Sequence, residues 1–488
     1  MSWNNRWLVL AVVSSALLLI VIDMTVLYTA LPRLTQELQA SPSEKLWIVN
    51  AYALTVAGLL PASGALGDRY GAKPLFLGGL LVFGLASLLA AFAPSPNVLI
   101  GGRVALAIGA AMMMPATLSI IRHTFEDERE RSLAIGIWAA IASGGAAFGP
   151  ILGGFLLEFF WWGSVFLINV PIVALALVLG SLFVPNKKGS AHHPFSLMAS
   201  VQIMVGLVAS TLAIKEFGKP EPSLAIAAIA GVTGIVFVSA FIRGQRRAVR
   251  PMLDLRLFAN ASFSGGVIAA LIAASALIGL ELAMTQRFQL VLGLSPLEAG
   301  IRLLPLPLAA FLAGPIAGRL LPRFGMRMLP VSMALMAVGG LIHLFAMQSL
   351  VVEIVSMVVI GIGVGATMTS ASASILHNAP AESAGTAASV EEVSFELGGA
   401  MGVTIFGSAL AAIYSHAFEG DGVAAEGIDQ AMRQAQSLTG PASDALQRAA
   451  AAAFNLSFMS VLAAATAIVL AGAALVAWMA TRTEGANS

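Results

Sequence analysis

Asp23, Glu281, Glu391, Glu392 and Glu396 stand in stretches of this chain that are otherwise apolar. An ionised carboxylate inside a bilayer costs several kcal/mol unless it is compensated, so each is a candidate for reversible proton uptake or for holding a cation. Asp23 lies in Val21-Ile22-Asp23-Met24-Thr25-Val26-Leu27-Tyr28, near the end of an apolar run that begins around Leu8. Two uses are open to it: a proton and cation acceptor, or a hydrogen-bonding group that never titrates. Glu392 and Glu396 are four residues apart and share one helix face. Glu391 either joins them or sits at the inner interface, and Glu281 lines a cavity or the outer vestibule. Arg103, in a fourth apolar stretch, needs a carboxylate or several carbonyls if it is buried, and would then tune a nearby acid. Its shallow position also allows it to snorkel to the outer surface. Tyr28 offers either a ring face to a cation or an interfacial anchor.

The elements that must position these groups are membrane helices. The chain has 488 residues, of which 58% are hydrophobic and 10% charged, against about 25% charged in soluble domains. A net charge of +1 gives no electrostatic basis for a nucleic-acid partner. The lack of cysteine excludes disulfides, thiolate metal sites and cysteine catalysis. No P-loop, metal-ligand cluster or nucleophile triad is present, and Gly361-x-Gly363-x-Gly365 has no preceding strand to make it a nucleotide site. An enzyme, a cofactor and a bound metal are therefore not expected, and His343 reads as a core residue.

A helix needs about 20 apolar residues to cross the hydrocarbon. On that measure the chain holds fourteen spans, the first near Leu8–Leu31 and read as retained, the last near Asn455–Ala480. Most of the 26 Lys and Arg residues then fall on loops that share a side with the termini, which places both termini in the cytoplasm. Gly64-Ala65-Leu66-Gly67-Asp68-Arg69-Tyr70-Gly71-Ala72-Lys73 recurs in part as Gly318 to Arg327, 254 residues later. The expected organisation is a six-helix bundle over residues 1–190, an inserted helix pair and linker over 191–258, and a second six-helix bundle over 259–488. Its long outer loop, 414–454, is read as a short polar helix or hairpin capping the outer mouth. Repeated halves of this kind place a site near the midplane between them.

The chain resembles, over essentially its whole length, the fourteen-helix drug:proton antiporters of the major facilitator superfamily. The stretch Gly64–Lys73 fits their G-x-L-x-D-R-x-G-x-K pattern, a conformational latch in which Asp68, Arg69 and Lys73 work around a turn at Gly71; the second copy has Pro322 in place of the Asp. Arg103 and Gly109 fit R-x-x-Q-G-x-G, with Leu106 and Ala107 departing from it. Gly149-Pro150-x-x-Gly153-Gly154, preceded by Gly145, resembles the glycine-rich motif of antiporters. The first span fits l-D-x-T-V-x-N-x-A-L-P except for Tyr28. Glu391-Glu392 to Glu396 resembles exporters of quaternary ammonium compounds and methyl viologen, and Asn50 stands where some relatives carry an Asp. The resemblance implies an all-α inner-membrane protein, working as a monomer, that exchanges protons for small hydrophobic cations. The rival on the same fold is a proton-coupled importer of a nutrient.

Overall fold

Without water to bond free N–H and C=O groups, a chain crossing a bilayer satisfies its backbone within helices. A computed structural model describes residues 3–186, 196–217, 222–248, 251, 255–345, 349–379, 384–419 and 422–486, and among these every regular element is helical. The first half comprises α1 (Trp3–Glu37), α2 (Pro42–Tyr70), α3 (Ala72–Ala91), α4 (Pro96–Thr124), α5 (Glu128–Phe159), the single turn α6 (Ser164–Leu167) and α7 (Asn169–Phe183). Next come α8 (Leu197–Glu216) and α9 (Leu224–Arg247). The second half comprises α10 (Ala261–Gln286), α11 (Pro296–Leu303), α12 (Pro305–Phe324), α13 (Met328–Leu344), α14 (Leu350–His377), α15 (Ala384–Ala417), α16 (Ile428–Ser437) and α17 (Pro441–Ala486). Each of the fourteen expected spans falls on one helix, or on a helix broken once, as with α6–α7 and α11–α12. Eleven segments are long and apolar enough to cross a membrane by length and composition among the described residues, and α13 is a shorter apolar helix.

The repeat is carried by helix ends. Ser41 caps α2 in a capping box with Glu44, and Ser295, 254 positions later, caps α11 in a capping box with Glu298. Ser95 caps α4, and Ser349, again 254 later, caps α14. Each cap supplies an acceptor to an otherwise unpaired N–H of the first turn. Gly71 and Gly325 end α2 and α12 with φ of 101° and 55°, a left-handed backbone that glycine adopts at little cost. The halves therefore share a register at these helix ends. Each half also builds its own large apolar core. The inserted pair packs on the outside of the junction between α2 and α15, where Met204 of α8 meets Gly58. Lys215 fastens it there, donating to the Ser43 carbonyl (2.8 Å) and lying 4.3 Å from the centre of the Trp47 ring.

The connection expected over 414–454 contains a short polar helix, α16 (Ile428–Ser437), as expected, with more helix around it. Helix α15 runs on to Ala417 and the final helix starts at Pro441, so residues 414–454 are mostly helical, α16 included. Gly440, with φ of 66°, and Pro441 make the break. The Ala-rich run that follows then propagates as helix beyond the apolar part of the span.

Candidate functional site

Asp23 of α1 is 2% exposed and Arg103 of α4 is 1% exposed, and the two form an ion pair inside the first half. The carboxylate is shared: Arg103 Nη1 donates to Oδ2, and Asn169 Nδ2 of α7 donates to Oδ1 at 3.1 Å. Asn169 also reaches Ser87 Oγ of α3 at 3.3 Å. Arg103 Nε donates to the Ile48 carbonyl of α2 (3.2 Å), and its guanidinium lies 4.4 Å from the centre of the Tyr52 ring. A buried pair offsets its desolvation only when further hydrogen bonds satisfy the leftover lone pairs and protons, and α2 and α7 supply them. Arg103 is therefore a buried partner of an acid and does not snorkel.

The α15 acids lie differently. Glu396 is 7% exposed, and its Oε2 has no hydrogen-bond partner among the described residues. It stands one turn beyond Glu392 and within electrostatic reach of it and of Arg103 across the junction. Tyr28 of α1 lies within the field of both Glu396 and Glu281, and Tyr52 within that of Asp23 and Glu396. The Tyr52 hydroxyl is buried and likewise has no hydrogen-bond partner there. Glu281 of α10 is 5% exposed. Glu391 and Glu392 are half-buried, and Glu391 bonds the Ser372 hydroxyl of α14. Asn50 Nδ2 of α2 donates to Thr404 Oγ1 of α15 at 2.6 Å, a buried bond between the halves. The fold thus brings together, at the junction of α1, α2, α4, α10 and α15, one compensated acid, unpaired acid at Glu396 and two tyrosines. Tyr28, 5% exposed, is a junction residue and not an interfacial anchor.

The halves are fastened at the end away from the termini. Lys45 of α2 bonds Asp429 of α16 and Gln286 of α10, the latter at 2.8 Å. Arg433 donates to the Thr35 carbonyl (3.1 Å) and Gln289 to the Thr29 carbonyl (2.8 Å). A second buried charge cluster stands in the C-terminal half: Glu353 of α14 pairs with Arg302 of α11 and lies 3.7 Å from Arg287, which follows α10.

Residues 13–403 match the Major Facilitator Superfamily. The chain is 41% identical over 421 residues, 84% of each chain, to the methyl viologen resistance protein SmvA of Salmonella typhimurium. It is 39% identical over 484 residues to the multidrug efflux pump LfrA of Mycolicibacterium smegmatis, covering 97% of this chain and 96% of that one. The chain belongs to the major facilitator superfamily. As a superfamily member it is a membrane transporter and not an enzyme. Its fold matches that of a bacterial homologue of the human lysosomal transporter Spinster in an inward-facing conformation, with a TM-score of 0.68 at 18% identity and coverage of 98% and 99%.

In this transporter the glycine-rich motif of α5 serves two neighbours. Gly145, Gly149 and Gly153 face Leu18, Val21, Thr25 and Val26 of α1. Gly154 faces the other half, where an added Cβ would stand 2.6 Å from Leu297 Cα; Gly300 returns the contact against the Pro150 carbonyl. In the segment Gly64–Lys73, Lys73 donates to the Ser181 carbonyl (2.8 Å), Arg69 lies beside the Tyr70 ring, and Gly64 sits near Pro115. The side chains of Asp68 and Pro322 lie outside the described residues. Sequence reasoning passed over Tyr52, Asn169, Lys45, Asp429 and Glu353. Asn169 interrupts the apolar run Phe166-Leu167-Ile168-Asn169-Val170, and Tyr52 is one of only 4 tyrosines. Those were the available signals. The partners of Lys45 and Glu353 are set by tertiary packing and leave no local trace.

Proposed function

We propose that this transporter exports hydrophobic mono- and dications, of the quaternary ammonium, viologen, biguanide and dye type, in exchange for protons. The observation that carries the reading is Glu396, a buried acid at the junction of the halves whose Oε2 has no hydrogen-bond partner among the described residues and which lies within electrostatic reach of Tyr28 and Tyr52. Such a group binds either a proton or a cation. Competition for one carboxylate is enough for exchange, because each ligand then displaces the other by linkage. Tyrosine faces add cation–π attraction for a desolvated ammonium or pyridinium. Glu392 and Glu281 extend the acidic surface, with Glu391 at its edge.

Asp23 takes a related part through Arg103. While Asp23 is ionised it holds the guanidinium; protonation of Asp23 weakens that hold and lets Arg103 bias Glu396 across the junction. Cross-half bonds at Lys45, Arg433, Gln289 and Asn50 favour a state closed at the end away from the termini. With both termini in the cytoplasm of a bacterial inner membrane, that state faces inward and receives drug from the cell. The membrane potential contributes about 2.3 kcal/mol per charge per 100 mV. Export of a dication against one proton would work against that field, so two or more protons per dication are expected, consistent with several acids at one junction.

Ethidium or methyl viologen transport by inverted vesicles, with and without an imposed pH gradient, tests this reading. Gradient-driven uptake by the wild type, lost in Glu396→Gln, is the expected result. Transport of the cation in the opposite sense would favour the importer, and transport indifferent to the gradient would remove proton coupling altogether.

A further inference from the structure

Tyr52 of α2 is 1% exposed and helps α2 to hold Arg103. The guanidinium donates to the Ile48 carbonyl (3.2 Å) and, one turn further along α2, lies 4.4 Å from the centre of the Tyr52 ring. That contact accounts for an aromatic ring at this position, because a buried guanidinium gains from a ring face. It does not account for a phenol. Phenylalanine would present the same face without burying a hydroxyl, and the Tyr52 hydroxyl has no hydrogen-bond partner among the described residues. A buried hydroxyl left unpaired forfeits its bonds to water, so its presence points to a partner from outside the chain.

Helices α2 and α15 meet at this level through Asn50 and Thr404 (2.6 Å) and through Ala53, Leu54 and Ala400. Glu396 lies one turn before Ala400 on α15, within electrostatic reach of Tyr52, and its Oε2 is likewise unpartnered. Each half thus brings one unpaired, buried oxygen to the junction, a charged one from Glu396 and a neutral one from Tyr52. We propose that Tyr52 is a specificity-determining residue, its hydroxyl accepting an N–H of the bound cation and so favouring biguanides over quaternary cations at one site. The proposal rests on the function given above, with Glu396 as the carboxylate that answers the cation's charge. A protonated biguanide is planar and carries N–H groups along several edges, so from one position it can donate to Glu396 and to Tyr52. Quaternary ammonium and viologen nitrogens carry no N–H and leave the hydroxyl unpaired. A site group able to hydrogen-bond one ligand discriminates against ligands that cannot pair with it.

Phenylbiguanide and benzyltrimethylammonium are both monocations with an aromatic ring, and only the first has N–H groups. Their binding to purified full-length transporter in detergent at neutral pH is measured by equilibrium dialysis. The wild type should bind both. Tyr52→Phe should bind phenylbiguanide roughly tenfold more weakly, the loss expected for one hydrogen bond to a charged ligand, with its affinity for benzyltrimethylammonium unchanged. Glu396→Gln should weaken both cations, because both depend on its charge. Tyr52→Phe keeps the ring against Arg103, so its thermal unfolding should match that of the wild type and a selective loss will not reflect misfolding. Unchanged affinity of Tyr52→Phe for phenylbiguanide, or an equal loss for the two cations, would overturn this inference alone. A wild type that binds neither cation, or binding untouched by Glu396→Gln, would overturn the proposed function and this inference with it.

Discussion

Asp23 and Arg103 stabilise each other where neither is tolerable alone, and that sets how their variants behave. Asp23→Asn keeps the shape but strands a buried guanidinium, so a loss of about 3–5 kcal/mol is expected. Asp23→Asn combined with Arg103→Gln should recover a substantial part of it, which a double-mutant comparison of thermal unfolding in detergent will measure. Glu396→Gln should behave in the opposite way. Its Oε2 has no partner to lose, so stability should change by less than about 1 kcal/mol while gradient-driven transport fails. At this scale the sequence was legible in what it contained and silent on what paired. Acids in apolar runs announce themselves through their cost. Nothing near residue 23 says that its partner is 80 positions away or that Asn169 and Tyr52 complete the pocket.

Among the elements, glycines decide how closely helices approach. An added Cβ at Gly149 would stand 2.6 Å from Thr25 Cβ and 3.2 Å from the Val26 nitrogen, whereas one at Gly101 would meet nothing within 4 Å. Gly149→Ala should therefore cost about 1–3 kcal/mol through overpacking between α5 and α1. Gly101→Ala should be neutral or slightly stabilising, since alanine is the better helix former. Thermal unfolding of the two variants side by side checks the contrast. The glycine ridge, the turn at Gly71 and the 254-residue repeat were readable because each follows from a fixed backbone requirement. The start of α17 was not, because a hydropathy rule sees where a span becomes apolar and not where its helix begins. The Gly440-Pro441 pair held that information.

At the scale of the whole molecule, two repeated halves meet around the acids and are fastened at one end by Lys45, Asp429, Gln286 and Arg433. Asp429→Asn should loosen that end. Because the chain has no cysteine, a spin-labelled cysteine pair placed across it should report a larger population at long distance in the variant than in the parent. The central claim is that drug and proton compete for the same carboxylates, and its most direct test is proton release on binding. Purified transporter in weakly buffered detergent solution near neutral pH is mixed with methyl viologen or ethidium while the pH is followed. We expect protons to be released in proportion to cation bound, and fewer to be released by Glu396→Gln. Saturable binding of the cation with no proton release by the wild type would contradict the account.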